Sequence, residues 1–487
     1  MYQQIMGNTR RTVKSEKMGD RASNRSTTIR KVGWTAPVSV FSQVKLRDGL
    51  IWLDSGMNQA GMGRWSYLMW EPFATIQGAR DDYTLVENGE SEPVTGDPFK
   101  AVDRFMARRG GAADDKKEWP PFTGGAAGFF GYDLLSHCEP STKLVKTGKA
   151  EEGDIWLGFY DRVIAFDNGA KKTYLIVNLQ TGLDPEPGLD ELESIVRKSI
   201  GRGPSRFKKT DGSFKVEPAS NFSKEEYFTA IEKIRRYIEQ GDCYQVNIAQ
   251  RFSAKGAFDP AELYLRLRSI NPAPFSAYLS AGSAQILSSS PERFIKLRDG
   301  HAQTRPIKGT RPRGADEQED ARLVEELIKS GKDRAENVMI VDLLRNDLSK
   351  ACIPNSVKVS QLCVIEKFPT VSHLVSSVEG KVKPEYGAID LLRMAFPGGS
   401  VTGAPKIRAM EIIDEMEPDP RGVYCGAIGY IGFNGSMDTS IVIRTIVHCG
   451  GMVKFHSVGA ITYLSQAQEE YDETMDKARA LIEAVTG

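Results

Sequence analysis

The stretch SKEEYFTAIEKIRRYIEQGDCYQVNIAQRF, Ser223 to Phe252, decides the fold class. Ser223-Lys-Glu-Glu226 is a capping box, in which each side chain accepts from the other residue's backbone amide. Behind it Tyr227, Ala230, Ile231, Ile234 and Ile238 recur at helical spacing, and Gly241 stops the helix. From Tyr244 the period changes to two. Tyr244, Val246, Ile248 and Phe252 alternate with Gln245, Asn247 and Arg251, which predicts a strand whose polar side is a candidate site wall. Helices mixed with hairpin-like strands predict an α+β fold rather than a doubly wound parallel sheet.

On the N-terminal side, residues 33–180 read as short β segments between glycine-rich turns, such as Ile51-Trp-Leu-Asp-Ser-Gly56 and Gly124-Gly-Ala-Ala-Gly128. Residues 1–32 are rich in Arg, Lys, Ser and Thr and poor in acids, and are expected to form a disordered basic tail. A linker is expected over residues 181–219, where Asp184-Pro-Glu-Pro-Gly188 and Gly201-Arg-Gly-Pro204 surround one short helical pattern. The catalytic domain then covers residues 220–487.

Lys plus Arg and Asp plus Glu both total 64, so no net charge draws the chain towards nucleic acid or an anionic membrane. The six cysteines contain no CxxC pair and the five histidines no HExxH pattern, which argues against disulfides and a zinc site. No apolar run approaches the ~20 residues of a membrane span. A cytoplasmic enzyme acting on a small molecule fits this balance.

Several segments have chemical potential. The helix expected over Ala467 to Val485 has a core face of Tyr471, Met475, Ala478, Ile482 and Val485, and on another stripe Glu470, Glu473 and Lys477 lie one turn apart. They suit either a solvated face or a cation site. In Ala335 to Leu348, the face of Met339, Ile340 and Leu343 also carries Glu336 and Asp347, which need partners if buried. Oxygen ligands from two helices would suit Mg2+. The run Phe396-Pro-Gly-Gly-Ser-Val-Thr-Gly-Ala-Pro-Lys406 lacks the spacing of a phosphate loop, and reads as a carboxylate cradle or a tight turn. Arg444, in the β-like run Ser440 to Val447 and on one face with Val442 and Ile446, needs an anion, either a ligand carboxylate or an internal acid. Lys308, between Pro306 and Gly309, is expected on a turn that exposes its amine.

Together these segments resemble the chorismate-binding family, which includes anthranilate synthase, aminodeoxychorismate synthase, isochorismate synthase and salicylate synthase chains. The resemblance is carried by Tyr244 to Arg251, Ser290-Pro-Glu-Arg-Phe294, Pro306-Ile-Lys-Gly-Thr310, Asp333 to Asp347, Ser372 to Ser376, Pro397 to Lys406, Gly426 to Tyr430 and Glu470-Tyr-Asp-Glu-Thr474. It implies two packed β-sheets flanked by helices, with the N-terminal region wrapped onto the catalytic domain. It also implies that Glu336 and Glu473, with Glu470 close by, hold Mg2+ against the ring carboxylate of chorismate. Arg444 and Tyr430 would hold the enolpyruvyl end. Gly309, Thr310, Gly459 and Ala460 would contact carboxylate oxygens, with Gln245 and Lys477 completing the substrate site. Glu292 matches the general acid for the departing ring hydroxyl, and His373 would sit beside that hydroxyl.

Two positions separate the subfamilies. Isochorismate and salicylate synthases carry a water-activating lysine where this chain has Gln245, and an amide cannot take that proton. Anthranilate synthases usually have alanine where this chain has Lys308, and Pro-Ile-Lys-Gly-Thr resembles the aminodeoxychorismate synthases, whose lysine is thought to attack the ring. That role requires a partly neutral amine, although a free lysine titrates at ~10.4. Burial or the neighbouring Arg305 and Arg311 are expected to lower it. The loop Val458-Gly-Ala-Ile461, followed by Leu464, departs from the family's glycine-rich pattern. No glutaminase element is present, so ammonia is expected from a separate glutamine amidotransferase subunit. The product would serve 4-aminobenzoate and folate biosynthesis. Ser55, Met62, Gly63, Arg64, Trp65, Pro274, Phe275 and Ser276 match segments that bind tryptophan in relatives, which predicts a tryptophan-sized pocket.

Overall fold

The computed structural model describes residues 25–57, 62–109, 118–146, 148–201, 216–368 and 371–487. Among them the strands form two twelve-stranded sheets, and every strand pair is antiparallel. In the first sheet Arg25–Val32, Lys172–Gln180, Arg162–Asp167, Trp65–Met69 and Ile51–Asp54 run on into Phe275–Ala281, Ala284–Ser290, Thr445–Cys449, Met452–Ile461 and Gln245–Lys255. In the second, Asp82–Glu87, Ala74–Ala79, Ile155–Tyr160 and Gly125–Phe130 run on into Ala427–Gly432, Met437–Ile441, Arg293–Arg298, His301–Arg305 and Val371–Lys381. The two halves of the chain thus share both sheets. Pairing Asp54 with Ser276 and Gly128 with Gly429 closes edges that either half alone would leave with unpaired amides and carbonyls.

Between the sheets lies an apolar layer that includes Tyr67, Phe129, Trp156, Tyr160, Leu279 and Ile428. Each such large side chain contributes about 1.5–3 kcal/mol on burial. Outside the first sheet, helices Pro37–Val44, Glu186–Ser199, Pro260–Ile270 and Ala467–Thr486 pack through Phe41, Leu189, Tyr264 and Leu481. Outside the second, Pro98–Arg109, Gly331–Ala351 and Ala388–Ala395 pack through Phe105, Leu344 and Leu391. This is the expected α+β arrangement of packed sheets flanked by helices. The capping box at Ser223 forms as read, with Ser223 Oγ accepting from Glu226 N at 3.2 Å and the Glu226 carboxylate accepting from Ser223 N at 2.8 Å.

Four expectations are corrected. Arg25–Val32 is not part of a disordered tail, because it pairs with Lys172–Gln180 along its whole length. Its basic Arg30 is matched by Glu186, Asp190 and Glu193 of the helix above it. The rest of the expected tail, residues 1–24, lies outside the described residues. The expected linker contains the helix Glu186–Ser199, whose Leu189, Leu192 and Val196 join the core, while residues 202–215 lie outside the described residues. The apolar run around Arg444 is not one strand. Met437–Ile441 belongs to the second sheet and Thr445–Cys449 to the first, and the chain crosses between them with Arg444 at φ +52°. Tyr244 precedes the strand Gln245–Lys255 and is 73% exposed, whereas Gln245 and Asn247 are buried.

Candidate active site

The strand Ile307–Pro312 brings Lys308, Gly309 and Thr310 to a recess between the N-terminal turns of helices Gly331–Ala351 and Ala467–Thr486. Lys308 therefore does not sit on an exposing turn but half-buried in a sheet. Its amine is pushed below the ordinary lysine range first by burial, a direction that Lys477 reinforces and Glu336, Glu292 and Glu473 oppose. Among the described residues it makes no ion pair or hydrogen bond. The expected helpers are engaged elsewhere, Arg305 with Glu366 and Arg311 with Asp333 at 3.1 Å.

Glu292, directly after the strand Ala284–Ser290, is 6% exposed and faces Ser400 and Lys308. Burial raises its carboxyl to about 7, against the opposing pull of Ser400, Lys308 and the Ile307 amide. His373 is buried on the adjacent strand Val371–Lys381, with Nδ1 2.8 Å from Thr310 Oγ1. Burial and then Arg444 lower it to about 4, so it is neutral at pH 7 and can act there as a hydrogen-bonding group. Gly309 has φ +83°, and a Cβ there would stand 3.0 Å from the Asp333 side chain and 2.9 Å from Leu327, so no other residue fits without displacement.

Three carboxylates converge on the ammonium of Lys332. It stands 3.5 Å from Glu470 Oε1 and within electrostatic reach of Glu336 and Glu473. The C-terminal helix is rotated from its expected face. Glu470, Thr474, Ala478, Leu481, Ala484 and Val485 are buried, while Tyr471, Met475 and Ile482 flank them. Glu470 is consequently only 3% exposed; one oxygen accepts from Ser465 Oγ at 2.6 Å and the other has no hydrogen-bond partner among the described residues. Burial raises the carboxyls of both Glu470 and Glu336. In Glu473, Lys477 at 2.6 Å outweighs burial and holds the carboxyl low. Lys477 also donates to Val458 O at 2.9 Å. A Cβ on Gly459 would come within 3.5 Å of Glu470 Oε2 and 3.0 Å of Tyr227 Oη. Among the described residues no group of three or more His, Cys, Asp or Glu side chains is arranged to hold a metal ion, and Lys332 supplies the positive charge between these carboxylates. Mg2+ takes only one or two protein carboxylates beside substrate oxygens, and the orphaned Glu470 oxygen is a ligand of that kind.

On the strand Gln245–Lys255, Gln245 Oε1 is buried without a hydrogen-bond partner among the described residues, and its Nε2 donates to Asn247 Oδ1 at 3.4 Å. Ala460 pairs with Asn247 across the sheet. Arg444 is half-buried with no ion pair among the described residues, and burial lowers its pKa. Tyr424, stacked on His456 at 4.6 Å and missed by the sequence reading, lies within electrostatic reach of Arg444, as does His373. Tyr430, expected there, is instead turned between the sheets, with its ring 5.5 Å from Tyr67 and 4.7 Å from Phe122. Two tyrosines six residues apart look alike in sequence, and strand alternation separates them only once Ala427–Gly432 is placed.

Tyr430 lines a different cavity, of about 120 Å3, with Ser55, Gly63, Arg64, Trp65, Pro274, Phe275 and Ser276. Met62 is buried but does not line it. Lys308 is not part of this cavity.

Residues 51–483 match the family model described as chorismate binding enzyme. The chain is 38% identical over 445 residues to "Aminodeoxychorismate synthase component 1" of Escherichia coli (strain K12), covering 91% of this chain and 94% of that one. It is 34% identical over 458 residues to "Anthranilate synthase component 1" of Aquifex aeolicus (strain VF5), covering 92% of each. The crystal structure of anthranilate synthase component I from Streptococcus pneumoniae TIGR4 superposes with TM-score 0.76 at 31% identity, over 86% of this chain and 92% of that one.

Proposed function

The chain belongs to the chorismate-binding enzyme family, and from that membership we propose that it is the synthase subunit of an aminodeoxychorismate synthase. It would convert chorismate and ammonia to 4-amino-4-deoxychorismate. The observation that carries this reading is Lys308: an amine lowered by burial, without an ion pair among the described residues, facing the buried acid Glu292.

The neutral amine of Lys308 attacks ring carbon 2, both ring double bonds shift in relay (to carbons 1–6 and 4–5), and the carbon 4–oxygen bond breaks as Glu292 gives its proton to the hydroxyl, which leaves as water. Ammonia then attacks carbon 4, both double bonds return, and the carbon 2–nitrogen bond breaks to release the Lys308 amine. Arg444 and Tyr424 supply the cation and hydroxyl for the enolpyruvyl carboxylate. Glu336, Glu470 and Glu473 would hold Mg2+, which supplies positive charge to the ring carboxylate. Ammonia would come from a glutamine amidotransferase partner, as "component 1" in the relatives' names suggests. The cavity lined by Trp65 and Phe275 would take tryptophan. Among the described residues no helix is long and apolar enough to cross a membrane.

Incubation with chorismate, Mg2+ and ammonium is expected to give aminodeoxychorismate, detected as 4-aminobenzoate after a lyase is added. Fluorescent anthranilate formed without any lyase would instead establish the second reading, anthranilate synthase, which relatives such as the Aquifex protein support. No consumption of chorismate would leave an inactive tryptophan-binding scaffold.

The pH profile of kcat/KM is expected to be bell-shaped. The acid must carry its proton, so activity falls as pH rises through about 7, where Glu292 titrates. The nucleophile must lose one, so the two limbs of the profile belong jointly to Glu292 and the lysine that burial lowers. Glu292→Gln should reduce the rate by ~10²–10⁴ and abolish the alkaline limb, which a rate profile over pH 6–9 would check.

A further inference from the structure

The acids of the recess already face cations of the chain itself. Glu336, Glu470 and Glu473 lie within electrostatic reach of the ammonium groups of Lys308, Lys332 and Lys477. Asp333, a further acid beside Glu336, is matched by Arg311 at 3.1 Å. The carboxylates and lysines of the recess therefore balance in charge. A divalent cation entering such a set is repelled by each lysine, and its binding is favoured when one of them gives way.

The three lysines are not held alike. Lys477 is fixed by Glu473 at 2.6 Å and by Val458 O at 2.9 Å. Lys308 is set in the strand Ile307–Pro312, with its amine inside the recess. Lys332 lies in the first turn of helix Gly331–Ala351, and its side chain is 48% exposed. Among the described residues its ammonium has a single ion-pair partner, Glu470 Oε1 at 3.5 Å. A half-exposed pair at that separation is weak, and the flexible lysine stem can carry its charge out to water. Glu470 would stay behind. Its Oε1 is kept by Ser465 at 2.6 Å, the residue is 3% exposed, and Oε2 has no hydrogen-bond partner among the described residues.

We propose that Lys332 is a displaceable counter-cation, which neutralises the carboxylates of the recess in the metal-free chain and swings out to solvent when Mg2+ binds among them. The proposal rests on the reading of Glu336, Glu470 and Glu473 as the Mg2+ site, and adds that a lysine that ligates nothing sets the affinity of that site. Lys332 keeps the buried Glu470 from being stranded as an uncompensated charge before the metal arrives. The same attraction has to be given up when Mg2+ enters, so it weakens metal binding.

The test uses the full chain without chorismate. Calorimetric titration with Mg2+ is expected to give a Kd about tenfold lower for Lys332→Gln than for the wild type, because one like charge has left the site. Lys332→Arg keeps the charge and should show no tightening. In the wild type, limited acetylation read by mass spectrometry should modify Lys332 several-fold faster with saturating Mg2+ than with EDTA, as the ammonium leaves Glu470. Equal Kd values for the wild type and Lys332→Gln overturn the proposal. So does a tighter Kd with unchanged acetylation of wild-type Lys332, which would make the lysine a fixed neighbouring charge. The acetylation series needs no variant and decides even if a substitution impairs folding. Absence of Mg2+ binding in every protein would remove the metal reading, and this proposal with it, whereas failure of amination with Mg2+ binding intact would leave this one standing.

Discussion

Lys308→Ala is expected to lower ammonia-dependent amination of chorismate by about three orders of magnitude or more, roughly 4 kcal/mol of barrier, with KM for chorismate changed only a few-fold. Direct attack of ammonia on carbon 4 has no group to shift the ring double bonds beforehand, so the covalent route should dominate. The loss is chemical rather than structural, because among the described residues Lys308 makes no hydrogen bond or ion pair that the fold would miss. Its removal takes positive charge from beside Glu292 and Glu336, which raises both carboxyls further. The residual activity should therefore extend to higher pH than that of the wild type. Initial rates with saturating ammonium, and mass spectrometry for a substrate adduct on wild-type Lys308, check this. Unchanged turnover in the alanine variant would remove the covalent mechanism and leave the family membership intact.

How much of this was legible in the sequence depends on the kind of residue. The elements that local patterns specify were readable: the capping box at Ser223, the strand after Gly241 and both acid-bearing helices appear where periodicity predicts them. What local patterns omit is which neighbour a side chain meets. The rotation of the last helix, which buries Glu470 instead of Tyr471, follows from packing on both the first sheet and helix Lys224–Glu239, and no single apolar stripe encodes two contacts. The run through Arg444 looked continuous because Ile441, Val442 and Ile443 are apolar on either side of the crossing between sheets. Tyr424 was passed over for Tyr430 for a related reason, since it lies outside any strand. Basic Arg25 to Lys31 read as a tail because their partners lie far along the chain, the acids that neutralise Arg30 about 160 residues further on.

A second large effect is expected from the pair that holds the loop Pro397 to Lys406. Lys406 spends all three ammonium protons there, on Asp347 Oδ2 at 2.6 Å, Ala395 O at 2.9 Å and Pro397 O at 2.8 Å. Lys406 is 7% exposed and Asp347 1%. Lys406→Met should cost about 3–5 kcal/mol, because it strands a buried carboxylate and two carbonyls together. Among the described residues only Lys350, at 3.7 Å from the other carboxylate oxygen, would remain to compensate. Burial already raises the Asp347 carboxyl, and without Lys406 the folded state would take up a proton there more readily than the unfolded chain. A state that binds more protons when folded loses stability as pH rises, so the deficit should be larger at pH 8 than at pH 5. The double variant Asp347→Leu with Lys406→Met should recover much of the loss, since it removes the stranded charge as well. Urea unfolding of all three proteins at both pH values reads these differences directly. The same loop carries Ser400, which faces Glu292, so the single variant should also lose activity at temperatures where it remains folded. If Lys406→Met unfolded at the wild-type urea concentration at pH 8, the pair would be dispensable to the fold, and the acid's position would have to be set by the Ile307 amide alone.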